Sequence, residues 1–254
     1  MTPQQAVKLL QEIGFFQTKG VPEHYKKGVQ LIGEDAMLEL AGHFNGEYEN
    51  SEEYLLEKSA EDPYFSIIHS TKYSIFKEEL LWLDQVLPKD ALVADLGCST
   101  GHMTALCAKM RPCSRFVGVD LIPSVIKKAN SIKEQLGLAN LSFEQHDFRT
   151  IKTTPKPDGL ISLQAVGAFL DDQATISHLS DYVDSKAFII LVEAFEVEEG
   201  LKRILKGFQS CGFSMARFDK INCGKGRRIK TMPGIFLARG FANISSLNIN
   251  TIHL

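Results

Sequence analysis

Three small residues at alternate positions, Gly97, Ser99 and Gly101, stand in the segment Val93-Ala94-Asp95-Leu96-Gly97-Cys98-Ser99-Thr100-Gly101-His102. Small side chains let a backbone turn sharply and let a ligand come close to its amides. A helix opening after such a turn offers unpaired N–H groups and a positive dipole end, which suit an anionic group. Asp120 lies 23 residues beyond Gly97 and closes a second apolar run, Phe116-Val117-Gly118-Val119. In an open α/β sheet the ligand sits beyond the carboxyl ends of the strands, and an acid there can take hydrogen bonds from two adjacent ribose hydroxyls. Turn and acid together predict an adenosine-containing ligand, with Asp95 as a further acid beside it.

These residues need strands and helices to hold them. Ala91–Leu96, Phe116–Asp120, Leu141–Gln145, Gly159–Leu163 and Ala187–Glu193 read as strands, several of them almost wholly apolar. His102–Met110, Pro123–Leu136, residues 172–183 and Leu201–Cys211 read as helices between or after them. Apolar strands alternating with helices imply a parallel sheet covered on both faces. Phe213–Asn222 and Gly234–Arg239 read as a closing antiparallel hairpin. The first 90 residues look helical throughout. A short helix ends near Gly14, another covers residues 34–44, and Ser51 is the expected cap of a third. One long apolar run from Tyr64 to Leu87 is closed by Pro88.

The small-residue spacing departs from the dinucleotide fingerprint Gly-x-Gly-x-x-Gly. With Asp95 ahead of it, it resembles motif I of the class I S-adenosylmethionine-dependent methyltransferases, acid-x-Gly-x-Gly-x-Gly, with serine as the middle residue. Further segments resemble that family in order: Phe116–Asp120, His146-Asp147-Phe148, Asp158–Ser162 and Phe208-x-x-x-Gly212-Phe213. The resemblance spans about residues 91–240. It implies a Rossmann-like three-layer α/β sandwich, with a mostly parallel seven-stranded sheet, an antiparallel edge strand and an N-terminal helical extension. It divides the chain into a helical cap or lid (1–90), a cofactor-binding domain (91–243) and a tail (244–254).

The implied cofactor is S-adenosyl-L-methionine, with S-adenosyl-L-homocysteine as product. Its implied contacts are Asp95, Gly97, Cys98, Ser99, Gly101, Asp120, Leu121, Asp147, Phe148 and Gln164, with Asp120 on the ribose and Asp147 on the adenine amino group. Tyr73, Gln164 and Phe169 are the implied substrate contacts. His69 and Tyr73, four apart on one helical face, could cover the methionine end. Glu193 and His69 are the candidate general bases, since an acceptor that carries a proton benefits from one. In-line displacement chiefly needs alignment and exclusion of water.

The chain has 254 residues, 44% of them hydrophobic, and a formal net charge of -3. That balance speaks against a broad nucleic-acid surface. No run approaches the ~18 apolar residues of a membrane span, and the first residues do not form a secretory signal. Cys98, Cys107, Cys113, Cys211 and Cys223 are odd in number and form no Cys-x-x-Cys pair, so neither a disulfide framework nor a metal site is expected. A cytoplasmic enzyme acting on a small molecule is the expectation, with a homodimer left open. The alternatives are an RNA or protein methyltransferase docking through the basic run 225–230, a non-catalytic adenosyl-ligand-binding subunit, and a nicotinamide-dependent oxidoreductase, which the glycine spacing disfavours.

Overall fold

The elements of the computed structural model, in chain order, are α1 (Pro3–Glu12), α2 (Val21–Ile32), α3 (Glu34–Asn45), α4 (Ser51–Lys58), α5 (Tyr64–Ser70), α6 (Tyr73–Val86), β1 (Leu92–Leu96), α7 (His102–Met110), β2 (Arg115–Asp120), α8 (Pro123–Leu136), β3 (Leu141–Gln145), β4 (Gly159–Leu163), α9 (Gln173–Tyr182), β5 (Phe188–Val192), α10 (Glu198–Ser210), β6 (Ser214–Asn222) and β7 (Thr231–Ala238). The structure describes residues 1–152, 155–165, 172–193, 198–222 and 231–240.

Alternation along the strands sets the layers, because successive side chains point to opposite faces of a sheet. On β5, Phe188, Ile190 and Val192 enter one core with α1, α6, α7 and α8. Ile189 and Leu191 enter a second core with α9 and α10. The seven strands run in the order β3-β2-β1-β4-β5-β7-β6. The pairs β1–β2, β1–β4, β2–β3 and β4–β5 are parallel. β7 is reversed against both β5 and β6, so the closing hairpin forms one side of the sheet with β6 outermost. The chain steps from β1 outward to β2 and β3, then returns to β4 on the other flank of β1. That reversal opens a crevice at the carboxyl ends of β1 and β4.

The N-terminal helices differ from expectation in three places. α2 has no counterpart among the expected elements; Gly28 sits mid-helix where α3 comes close, and a Cβ there would lie 2.3 Å from the Met37 sulfur. The sequence does carry this helix: Tyr25, Val29 and Ile32 keep helical spacing and pack against Met37 and Leu40 of α3 and Ile67 of α5, with Gly28 beside them. Ser51 is not a cap: Asn50 holds that position with φ +61°, and the Ser51 hydroxyl donates to the Tyr48 carbonyl. The Tyr64–Leu87 run is two helices. The Thr71 hydroxyl donates to the Ile68 carbonyl, and the Lys72 amide bonds the His69 carbonyl three residues back, which tightens and ends the first helix.

Candidate active site

The crevice holds a cavity of about 470 Å³. β1, β2 and β4 supply its floor, and α5 and α6 close it from the N-terminal side. After β1 the backbone turns through Gly97 (φ +70°), Ser99 (φ +48°) and Gly101 (φ +68°), all left-handed. Serine accepts this conformation because its neighbours fix it: its amide donates to Asp120 Oδ2 at 2.8 Å. A Cβ on Gly97 would sit 2.6 Å from that of Ala165, so glycine keeps the cradle open. A Cβ on Gly101 would strike the Phe143 ring at 2.4 Å and Ala129 at 2.5 Å, so this glycine lets α7 pack against α8 and β3.

β1 and β2 lie side by side, with Leu96 opposite Val119. This register carries Asp120 to the turn. Its Oδ2 takes the Ser99 amide and its Oδ1 takes the Ile122 amide at 3.1 Å. Each oxygen keeps a further lone pair for a ligand. Asp95 is buried, accepts the Thr104 hydroxyl, and is pushed up to about 7 by burial. Cys98 is buried too, and its thiol is held well above the usual range by burial and by Asp95 and Asp120, so it lines the wall as an inert group.

Of the expected contacts, Asp95, Gly97, Cys98, Ser99, Asp120, Leu121, Asp147, Phe148 and Gln164 all line the cavity. Asp147 stands at the wall with its carboxylate gripped by the Arg149 guanidinium at 2.6 Å. Gly101 acts from behind, as the pivot of the turn. Phe169 and the basic run 225–230 lie outside the described residues.

Tyr73 and Glu193, both expected near substrate, sit otherwise. His69 lines the cavity, but Tyr73 does not; the break between α5 and α6 removes the shared face, and the Tyr73 hydroxyl reaches the Val7 carbonyl of α1 at 3.4 Å. Glu193 is buried and does not line the cavity. Its Oε1 accepts the Ser162 hydroxyl at 2.9 Å and the Ala165 amide at 3.1 Å, fastening the loop after β4.

His69 belongs to a chain of contacts. Thr100 Oγ1 lies 3.2 Å from His69 Nε2 and 2.9 Å from His102 Nδ1. One hydroxyl proton serves one of the two nitrogens, so the other imidazole must present an N–H to the threonine oxygen. Burial holds both imidazoles neutral; His102 is pushed down to about 3 and His69 well below its usual value. Phe15, Phe65 and Phe76 surround the pair.

Sequence reasoning missed Glu79 on α6. It is fully buried on the cavity wall. Gln164, in a left-handed conformation (φ +61°), donates its side-chain amide to Glu79 Oε1 at 2.6 Å. Glu79 Oε2 has no hydrogen-bond partner among the described residues. The signal was present: an acid occupies a core position within Phe76-Lys77-Glu78-Glu79-Leu80-Leu81-Trp82-Leu83.

A model of the family described as a methyltransferase domain matches residues 88–226. The magnesium protoporphyrin IX methyltransferase of Synechocystis PCC 6803, solved with bound S-adenosylhomocysteine, has a similar fold: TM-score 0.56, 21% identity, 76% of this chain and 97% of that chain covered. An S-adenosylmethionine-dependent methyltransferase of Aquifex aeolicus superposes with TM-score 0.55 at 15% identity, covering 72% of this chain and 96% of that chain. A tRNA (guanine-N(7)-)-methyltransferase of a Nostoc strain is 34% identical over 56 residues, which is 22% of this chain and 26% of that protein. With the family model spanning more than half its length over a mostly parallel seven-stranded sheet with one reversed strand, the chain belongs to the class I S-adenosylmethionine-dependent methyltransferases.

Proposed function

We propose that the protein transfers a methyl group from S-adenosylmethionine to a small-molecule acceptor by in-line displacement. One observation carries this reading: the glycine cradle after β1 and the Asp120 carboxylate face one cavity that α5 and α6 close from the far side. The residues present fit the cofactor, since a single methyl on Gly97 would fill the cradle and Asp120 keeps two accepting positions. Asp120 would hold the ribose hydroxyls. Leu121, Ile122 and Phe148 give the adenine apolar surface, with Asp147 at its edge. Asp95, Gly97 and Ser99 would hold the methionine end. When bound, S-adenosylmethionine supplies an electrophilic methyl on a sulfonium.

The chain's own part is to bind, orient and exclude water. Phe76, Met103 and Leu163 present apolar surface to the space beside the cradle. Leu56 on α4 also reaches the wall, so the helices before β1 contribute to the acceptor side. Such a roofed, largely apolar pocket suits a molecule of modest size. Glu193 acts by pinning Ser162 and Ala165, and so the loop after β4.

Replacing Asp120 with Ala removes both amide anchors and the ribose acceptor. Calorimetry should show S-adenosylhomocysteine affinity falling at least tenfold, in line with about 1.5–3 kcal/mol for a hydrogen bond to a charged group. Unchanged affinity would place the ribose elsewhere. A second reading, an RNA methyltransferase, draws on the short likeness to the tRNA enzyme and on the basic run 225–230. Binding of tRNA that weakens steeply with salt would favour it.

A further inference from the structure

We propose that Glu79 is the group that takes the proton from the acceptor. The inference rests on the function proposed above and names the acceptor class: a molecule with an apolar body whose reacting atom carries an O–H or N–H.

The geometry comes first. α6 turns Phe76, Leu80 and Leu83 inward, and Glu79 shares that buried face. Packing alone calls for another apolar residue there, because a buried carboxylate without partners costs several kcal/mol or stays protonated. One oxygen is positioned by Gln164, whose side-chain amide is 2.6 Å away. Gln164 is itself held in an unusual left-handed conformation. Its backbone N–H donates to the Val192 carbonyl at 2.7 Å, and Glu193 fixes the next residue. The other oxygen, Oε2, has no partner among the described residues and belongs to a side chain on the cavity wall. Oε2 is closed to solvent, so the donor that fills its open accepting position is one that packs against the cavity wall and excludes water.

The surroundings suit proton transfer near neutrality. Burial lifts the Glu79 carboxyl to about 7, eased by Gln164 and Lys72 and reinforced by Glu193. Beside it lie the Cys107 thiol of α7 and the neutral His69 and His102 imidazoles, and the same cavity is also lined by Asp95, Asp120, Asp147 and Arg149. Thiol and imidazoles are uncharged, so Lys72 is the cation that acts on Glu79. A base with an affinity near the working pH is suited to this role.

The step balances. The acceptor's lone pair forms the new O–CH3 or N–CH3 bond, and the C–S pair departs onto sulfur, giving the neutral thioether. The acceptor's proton passes to Glu79 Oε2. Water entering after product release returns Glu79 to its ionised state.

Three measurements test this. Calorimetry with S-adenosylhomocysteine comes first: Glu79→Gln should bind it within threefold of wild type. A loss of tenfold or more would assign the carboxylate to the cofactor and overturn the proposal. Failure of wild type to bind at all would instead overturn the function on which the proposal rests. Second, carbon-detected NMR of the wild-type protein saturated with S-adenosylhomocysteine should show a carboxyl titrating near 7 that Glu79→Gln lacks. A Glu79 carboxyl already ionised at pH 5 would overturn the proposal. Third, phenol should bind that saturated protein at least tenfold more tightly than benzoate at pH 8. Phenol has a proton to donate, whereas benzoate is an anion. The preference should fall below threefold in Glu79→Gln. An equal preference in both proteins, or binding of neither probe by wild type, would overturn the proposal.

Discussion

At the residue scale, the site depends on backbone conformations that few side chains accept. Gly101 combines φ +68° with no room for a methyl against Phe143 and Ala129. Gly101→Ala is therefore expected to cost roughly 2–5 kcal/mol, from left-handed strain of about 1–2 and overpacking of about 1–3. A urea titration checks it; a loss below about 1 kcal/mol, the low end of overpacking costs, would mean that Phe143 swings away freely. Such residues are legible in a sequence because the requirement is local. Gly97, Ser99, Gly101 and Asp120 announce the turn and the acid by type and spacing alone. Glu79 is not legible in that way. Its meaning comes from Gln164, 85 positions along the chain, and from the burial of the helix that carries it. Tyr73 and Glu193 show the reverse failure. Each has suitable chemistry near suitable elements, but the direction of the side chain depends on a helix break or on a neighbouring loop.

At the element scale, punctuation decides what can be read. α8 starts at Pro123 and ends before Gly137, and α7 opens straight after the Gly101 turn, so both are bounded to the residue by their own chemistry. β3 stands out by the alternation of Leu141 and Phe143 with polar residues, and β4 as a short apolar-rich run. α2 keeps its apolar spacing through Tyr25, Val29 and Ile32, but Pro22 and Gly28 read as breaks, although proline suits a first turn and the glycine lies where α3 approaches. The mate of α6 is equally hidden. Trp82 Nε1 donates to Asp219 Oδ2 at 2.7 Å, joining the helix that carries Glu79 to the outermost strand β6. Asp219→Ala is expected to lower stability by about 1.5 kcal/mol, the low end for a hydrogen bond to a charged group because the pair is only part-buried. Scanning calorimetry reads the change. An unaltered melting temperature would show that the apolar contacts of Trp82 alone hold α6 in place.

Over the whole molecule, buried titratable groups set opposing pH limits. Glu79 and Asp95 have folded values near 7, above their unfolded ones. Their contribution is fully present below about pH 4 and is lost as pH rises through 7, because the unfolded chain releases those protons first. His24, His69 and His102 are lowered by burial, His102 to about 3. Their contribution is present above about 6.5 and is lost as pH falls, because the unfolded chain then binds the protons. The two sets predict a stability maximum near pH 6. Glu79→Gln removes one member of the first set, so it should gain about 1–3 kcal/mol over wild type at pH 8 and nothing at pH 4, since each tenfold difference in proton affinity between the folded and unfolded chain is worth about 1.4 kcal/mol. Denaturant midpoints at the two pH values would show this; equal changes at both would mean that folding leaves the proton affinity of Glu79 unshifted. The sheet order that makes this interior is legible from the strand–helix rhythm, whereas the charges enclosed by its helical roof are not.

Trp82 is the single tryptophan of the chain, and it joins α6 to β6 one helical turn beyond Glu79. The protein thus carries its own optical gauge of whether the roof over the cavity is shut. Indole emission follows local polarity, so a docked helix and a lifted one differ in colour without any dye attached.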